Sequence, residues 1–356
     1  MPKNLVVISD VHVARIWNKI AKVLPKEIGF LNPNGQLQKM MRILTEDDAL
    51  IINGDLVDYH YADYGPSAKK NLDYADDILS RFDGLTYINV GNHDFRSFAY
   101  NFSFYGLHHV NISRATRLRF RKRFGFHRFR WFDELRSINL FLKKDDKVSS
   151  QFLQKDYAVT LDRRRLLFLS TGPDAFSRPE IFFNPKYWPI IRHVLSTPSY
   201  GLQDKQLAYL RKELQDSRER QIVLFLHCPP FFSRDPHASM VLQKGKIFRR
   251  LAYSSFSSGM FARNVEPFLE ILMASKKNIL VISSHLHVPG QFIIDKETRR
   301  LDAVPLHEIN QQRHDATKIK FVTTLPLGVI DRFNRKTGYL KIADNRIGHV
   351  VLREFS

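Results

Sequence analysis

Five short segments, spread from one end of the chain to the other, carry residues that can ligate metals. They are Asp10-Val-His12, Gly54-Asp55-Leu-Val-Asp58, Gly91-Asn92-His93-Asp94, a lone His227, and His285-Leu-His287. The set combines imidazoles, carboxylates and one carboxamide, without a thiolate. That mixture suits Mn²⁺, Fe²⁺/³⁺ or Zn²⁺ better than Ca²⁺. It exceeds what one tetrahedral ion needs and matches two ions about 3.5–4 Å apart that share a carboxylate. Asp10 and His12 stand two apart, as do His285 and His287, so each pair is expected to leave a strand end on one side. A polynuclear metal site of this kind implies hydrolysis.

Each segment follows a run that reads as a buried strand: NLVVIS, ALIIN, LTYINV, QIVLFL and NILVISS. Strands that all deliver ligands from their carboxyl ends must belong to sheets sharing one edge. Amphipathic stretches at 36–45, 68–82, 202–216 and 264–275 have helical spacing, and YAVTL-DRR-RLLFLST (157–171) reads as a hairpin. The runs at 291–294, 318–323, 337–343 and 348–353 read as a closing β-meander. The expected class is α/β, with two packed sheets flanked by helices. Residues 98–150 interrupt the pattern with arginines interleaved among Phe and Trp, and are read as a helical basic and aromatic insertion over the site. Residues 173–200 form a second, loop-rich excursion.

The 356 residues suffice for a large core, and a 44% hydrophobic content is that of a globular chain. No apolar stretch approaches the roughly 18 residues of a membrane span. Met1 leads straight into a strand-like run without a signal-peptide core, so a soluble, cytoplasmic protein is expected. The single cysteine, Cys228, reads as a small buried side chain. The formal net charge of +19 points to anionic partners. A phosphorylated substrate comes first, an anionic membrane surface met through the basic insertion second, and nucleic acid third.

In this order, Asp-x-His, Gly-Asp-x-x-Asp, Gly-Asn-His-Asp, a lone His and x-His-x-His resemble the calcineurin-like metallophosphoesterases. The resemblance runs from Asp10 to His287 and implies a single domain over 1–356, a four-layer α/β/β/α sandwich of two mixed sheets. It implies two divalent ions, with Mn²⁺ expected first and Fe or Zn as the alternatives. Asp10, His12 and His287 would hold one ion, Asn92, His227 and His285 the other, with Asp55 bridging. A bridging hydroxide would attack phosphorus in line. His93 would protonate or stabilise the leaving oxygen, with Asp94 orienting its imidazole. Asp58 is left open between a supporting role and a helix cap. Ser284 departs from the glycine usual before the final His-x-His, and a serine fits there if its backbone avoids positive φ. Arg15, Arg121 and Arg123 are candidate substrate contacts.

The reaction expected is hydrolysis of a phosphoester or phosphoanhydride. A sharper alternative resembles the family branch that cleaves UDP-2,3-diacylglucosamine at the membrane surface in lipid A synthesis, which also carries a basic, hydrophobic insertion. In that case residues 98–150 would form a lid, and the protein would sit at the inner face of a membrane. The non-enzyme alternative is a basic, membrane-associated scaffold on a phosphoesterase fold.

Overall fold

The computed structural model describes residues 2–23, 31–58, 71–95, 149–152, 156–172, 199–247, 251, 256, 261–312, 314–329, 335–343 and 346–354. Along the chain the first elements are β1 (Asn4–Ile8), α1 (Arg15–Val23), α2 (Pro33–Ile43), β2 (Asp48–Asn53), α3 (Asn71–Leu79) and β3 (Thr86–Asn89). Next come β4 (Ser149–Phe152), β5 (Asp156–Leu161), β6 (Arg164–Leu169), β7 (Ser199–Gly201), α4 (Asp204–Asp216), β8 (Gln221–Leu226) and β9 (Ser239–Val241). The last are β10 (Phe261–Arg263), α5 (Val265–Ala274), β11 (Asn278–Ser283), β12 (Gly290–Asp295), β13 (Arg300–Ala303), α6 (Leu306–Gln311), β14 (Lys318–Thr323), β15 (Lys336–Ala343) and β16 (Arg346–Glu354).

Two mixed sheets carry the fold, in the orders β16-β15-β1-β2-β3 and β4-β5-β6-β8-β11-β14-β12-β13-β9, beside a small β7-β10 pair. In the first sheet β1, β2 and β3 run parallel; in the second β6, β8, β11 and β14 do. Their near-continuous apolar runs reflect burial on both faces, as parallel strands covered on both sides require. Odd positions Leu5, Val7, Ala49, Ile51 and Tyr87 face Leu166, Phe168, Val223, Phe225 and Ile282 in the core between the sheets. The alternate residues of the first sheet pack against α2 and α3. Those of the second pack against Leu207, Leu210 and Leu214 of α4 and Phe268, Leu269 and Leu272 of α5. The architecture is the expected α/β/β/α sandwich.

The expected hairpin at 157–171 forms, and its two turn residues explain why. Asp162 (φ 47°) and Arg163 (φ 61°) both adopt the left-handed conformation, the two-residue geometry that matches strand twist. The C-terminal meander, in contrast, does not form as a unit. Residues 318–323 pair parallel to β11 and antiparallel to β12, while β15 and β16 cross to the first sheet, where β15 pairs antiparallel with β1. Strand spacing alone does not reveal which sheet an edge will accept. Among the described residues no helix is long and apolar enough to cross a membrane. The arginine- and aromatic-rich insertion, with Arg121 and Arg123, lies outside the described residues apart from β4 at its end.

One side chain ties the two sheets at the edge of the first. The Tyr157 hydroxyl of β5 donates to the Ile88 carbonyl (2.8 Å) and accepts the Ile88 N–H (2.9 Å), covering the outer side of β3. Its ring stacks on Phe168, with centroids 4.4 Å apart. Removing the hydroxyl leaves a buried donor and acceptor unpaired, so Tyr157→Phe should cost about 1–3 kcal/mol. Urea unfolding should show a lower midpoint at constant slope. An unchanged midpoint would mean that water satisfies Ile88 without the tyrosine.

Candidate metal centre

The inward-facing column of each parallel strand turns polar at one level. Two residues beyond the last inward apolar side chain, Val7 is followed by Ser9, Ile51 by Asn53, Tyr87 by Asn89, Phe225 by His227 and Ile282 by Ser284. Period-two alternation directs these polar groups into the seam between the sheets. All five are essentially fully buried. Asn53 donates to the Leu226 carbonyl (3.0 Å), and Asn89 donates to Asn53 Oδ1 (3.0 Å) and to the Phe225 carbonyl (3.3 Å). The ligand-bearing loops rise from this layer.

Their backbone is unusual. Asp10 (φ 49°), His12 (55°), Asp55 (53°), His285 (72°) and His287 (59°) all adopt left-handed conformations, which cost non-glycine residues on the order of 1 kcal/mol or more each. The two spaced pairs thus converge through alternating left-handed residues, not through continued strand. Hydrogen bonds between loops hold them there: the Val11 and His12 N–H groups both donate to the Asp55 carbonyl (2.9 Å each), and His285 N–H donates to Asp10 Oδ2 (3.3 Å). Glycine is required at two places. A Cβ on Gly54 (φ 90°) would fall 2.2 Å from His227 Nδ1, and one on Gly91 would fall 2.3 Å from Asp55 Oδ1.

Asp10, His12 and His287 bring one donor atom each within 4.8 Å of one another, as do Asp55, His227 and His285. A third group, His12, Asp55 and His93, overlaps both. Asp55 Oδ2 lies 3.1 Å from His227 Nε2 and 3.9 Å from His12 Nε2, while Asp55 Oδ1 accepts the His93 N–H at 2.7 Å. Asn92 Oδ1 lies 3.0 Å from the same His227 Nε2. All seven expected ligands therefore meet. The set fits divalent cations on two observations. Asp10 Oδ1 and His12 Nε2 are buried without a hydrogen bond, although His287 Nε2 approaches Asp10 to 3.4 Å. His227 Nδ1 also faces the Asn53 carbonyl (3.0 Å), which can only accept, so Nδ1 carries a proton and Nε2 is the nitrogen turned toward Asp55 and Asn92, where a cation would be met.

The structure corrects the role expected of Asp94. Its Oδ2 accepts the N–H groups of Gly91 (2.8 Å) and Asp55 (3.0 Å), and its Oδ1 that of Val57 (3.1 Å), so it fastens the two ligand loops together. Asp58 instead meets the imidazole of His93, with Oδ1 2.9 Å from Nδ1, and lies 3.5 Å from Nδ1 of His12. The His12 and His93 rings are 4.3 Å apart, edge to face. Asp58, Asn53 and Asn89 are thus residues that motif reading left open or missed; the two asparagines were visible only as the next inward positions of their strands. Ser284 is absent from the positive-φ residues, and the left-handed turn falls on His285 instead. Arg15 starts α1 with its guanidinium carbon 5.3 Å from the centre of the Tyr74 ring.

Charge follows burial and pairing. Burial resists ionisation of Asp10, Asp55 and Asp58, but neighbouring imidazoles hold all three below the usual carboxylate range. Burial together with the charge on Asp55 pushes Asp94 up to about 7. Burial would lower His227, yet the Asp55 carboxylate outweighs it and lifts the imidazole to about 9.

The statistical model of the calcineurin-like phosphoesterase family matches residues 3–289. The chain belongs to that family and is a metallophosphoesterase. No curated protein matches it by sequence. Among solved structures, a dimetal phosphatase from Danio rerio is 14% identical, with 99% of this chain and 96% of that one covered and a TM-score of 0.47. A purple acid phosphatase from yellow lupin (Lupinus luteus) seeds is 13% identical, with 100% and 54% covered and a TM-score of 0.50. A putative 5′-nucleotidase from Staphylococcus aureus is 13% identical, with 98% and 52% covered and a TM-score of 0.37. The chain spans about half the length of the last two, and identities this low bear on the fold alone.

With Asp55 lifting its pKa to about 9, against the pull of burial, His227 as a ligand would have to give up an imidazole proton at pH 7. Metal binding at pH 7 should therefore release protons, and apparent affinity should climb with pH and level off above about 9. Calorimetric titration of Mn²⁺ in buffers of different ionisation enthalpy reads the release directly. A binding enthalpy independent of buffer would contradict it.

Proposed function

We propose that the chain hydrolyses a phosphoester or phosphoanhydride bond with two divalent cations. Asp10, His12 and His287 would hold one, Asn92, His227 and His285 the other, with Asp55 shared between them. The observation that carries this reading is the convergence of both groups on one buried carboxylate, beside buried ligand atoms that lack hydrogen bonds. Unpaired buried polar atoms cost roughly 1–3 kcal/mol each, which a bound cation offsets. The donor set favours Mn²⁺, with Fe or Zn²⁺ as alternatives. When bound, such a pair acidifies water and neutralises charge on the phosphoryl oxygens.

The chain's own residues supply the rest. Asp58 fixes the Nδ1 proton of His93, so Nε2 is the nitrogen that can pass a proton to a leaving oxygen. Because Asp58 also lies beside His12 Nδ1, one carboxylate sets the orientation of both rings. Asp94 acts through the backbone, holding residues 55–57 against Gly91. The net charge of +19 favours an anionic phosphorylated substrate. The basic, aromatic-rich stretch 98–150 favours, as a second reading, a lipid-linked diphosphate of the UDP-2,3-diacylglucosamine type met at an anionic membrane surface.

Chelation should abolish hydrolysis of bis(4-nitrophenyl) phosphate and Mn²⁺ should restore it, while Asp55→Asn should lose both activity and bound metal. A purified chain that binds neither Mn²⁺ nor Zn²⁺, and is unaffected by Asp55→Asn, would instead be a scaffold on this fold. His93→Ala should cost about 10²–10⁴-fold in kcat on esters with poor leaving groups and much less on nitrophenyl esters, whose leaving oxygen needs no proton. An equal loss on both would remove His93 from proton transfer. Asp58→Asn should follow His93→Ala in that leaving-group dependence, whereas Asp94→Asn should lower stability without it.

A further inference from the structure

Ser284 directly precedes the His285-Leu-His287 motif, and its side chain is aimed at a candidate ligand, His227. Its Oγ lies 3.0 Å from His227 Nδ1, donates to the Asn53 carbonyl at 2.8 Å, and lies 3.1 Å from the His227 carbonyl. Asn53 Nδ2 approaches the same Oγ at 3.4 Å, and Ser284 is fully buried. The His227 ring also presses against Gly54, with Nδ1 the nearest atom, so closely that no Cβ fits there. At its Nδ1 edge the imidazole thus meets both a bare Cα and a hydroxyl, while it belongs to the group that contains Asp55 and His285.

Proton arithmetic decides what the hydroxyl does. A hydroxyl has one proton, and the Asn53 carbonyl 2.8 Å away is its shortest acceptor, which turns an Oγ lone pair toward Nδ1. The Nδ1 proton then meets two acceptors, the Asn53 carbonyl and Ser284 Oγ, both at 3.0 Å. A glycine at 284 would leave only the carbonyl. The geometry points to Ser284 as a positioning residue that fixes the ring plane and tautomer of His227, and so tightens one of the two divalent-cation positions without touching the other. This rests on the reading of His227 as a ligand. Partners of this kind on ligating imidazoles are worth about 10–100-fold in metal affinity.

Titration of the metal-free full chain with Co²⁺, followed by its visible absorption, tests the idea without relying on turnover. The wild type should bind in two steps. Ser284→Ala should weaken one step at least about tenfold and shift its absorption band, leaving the other step and the far-ultraviolet circular dichroism unchanged. Ser284→Gly, which demands no volume in the buried slot, should give the same pattern and replaces the alanine variant if that one does not fold. Two unchanged steps, or equal weakening of both, would overturn the assignment. His227→Ala separates the two levels of inference by removing one step entirely. If it leaves both steps intact, the ligand reading has failed and the role of Ser284 falls with it. If it removes a step that Ser284→Ala leaves untouched, only the positioning role has failed.

Discussion

The site depends on Asp55. Its side chain contacts the His227 ring and the His93 backbone, its carbonyl takes the N–H groups of Val11 and His12, and its own N–H is held by Asp94. Four of the five ligand segments thus meet on one residue, and the fifth joins through His285. A carboxylate about 1% exposed would ordinarily protonate or destabilise its surroundings. Here imidazoles on several sides keep it ionised, against the opposition of burial. The same arrangement attracts a cation, because the groups that stabilise the negative charge are neutral ligands once their protons leave.

Holding so many loops on one residue has a conformational cost, visible in the backbone. Five of the candidate ligand residues lie in the left-handed region, where each is disfavoured by about 1 kcal/mol or more, and none is glycine or asparagine. Such strain persists only where the surroundings over-determine it. The inter-loop backbone bonds supply that constraint, resting on parallel strands paired over four to six residues. Against roughly 1 kcal/mol per hydrogen bond, the strain is matched only because several bonds act together. This explains why glycines flank the ligands at 54 and 91. Backbone approaches there are too close for a Cβ, and a methyl at either place would move a ligand before it moved anything else.

Much of this was legible in the sequence. The five motifs, the strands preceding them and the helices at 204–216 and 265–274 stand where residue type and period place them, because apolar runs ending in a ligand leave little freedom. What escaped depends on contacts between distant segments. Strands 318–323 and 336–343 look alike as isolated apolar runs, yet one lies beside β11 and the other beside β1, a choice made by open sheet edges. Asp94 follows His93 directly and so seemed its natural partner. A 3-10 turn at His93–Phe95 instead points the carboxylate back at backbone donors and leaves the imidazole to Asp58, 35 residues earlier. Ser284 was visible as a departure from pattern, but its contact with His227 required β8 and β11 to lie side by side in the second sheet.

The layering of the inter-sheet seam accounts for why the ligands can be polar at all. Between the sheets lies an apolar core with Tyr87, Phe168 and Phe225 stacked through it; above that come Asn53, Asn89, Ser9 and Ser284, level with His227; only then come the carboxylates and the other imidazoles. The amide layer hydrogen-bonds to carbonyls at the ends of β8 and β11, so it satisfies groups that would otherwise be orphaned where the strands stop. It also joins the two sheets by polar contacts at the level where apolar packing ends. Each candidate ligand group draws from both sheets: His287 joins Asp10 and His12, and Asp55 and Asn92 join His227 and His285. A cation in either group would bind across the seam, so its affinity and the alignment of the two sheets are one property of the fold. The amide layer sets that alignment beforehand, which makes the asparagines and Ser284 part of the site although none of them is a ligand.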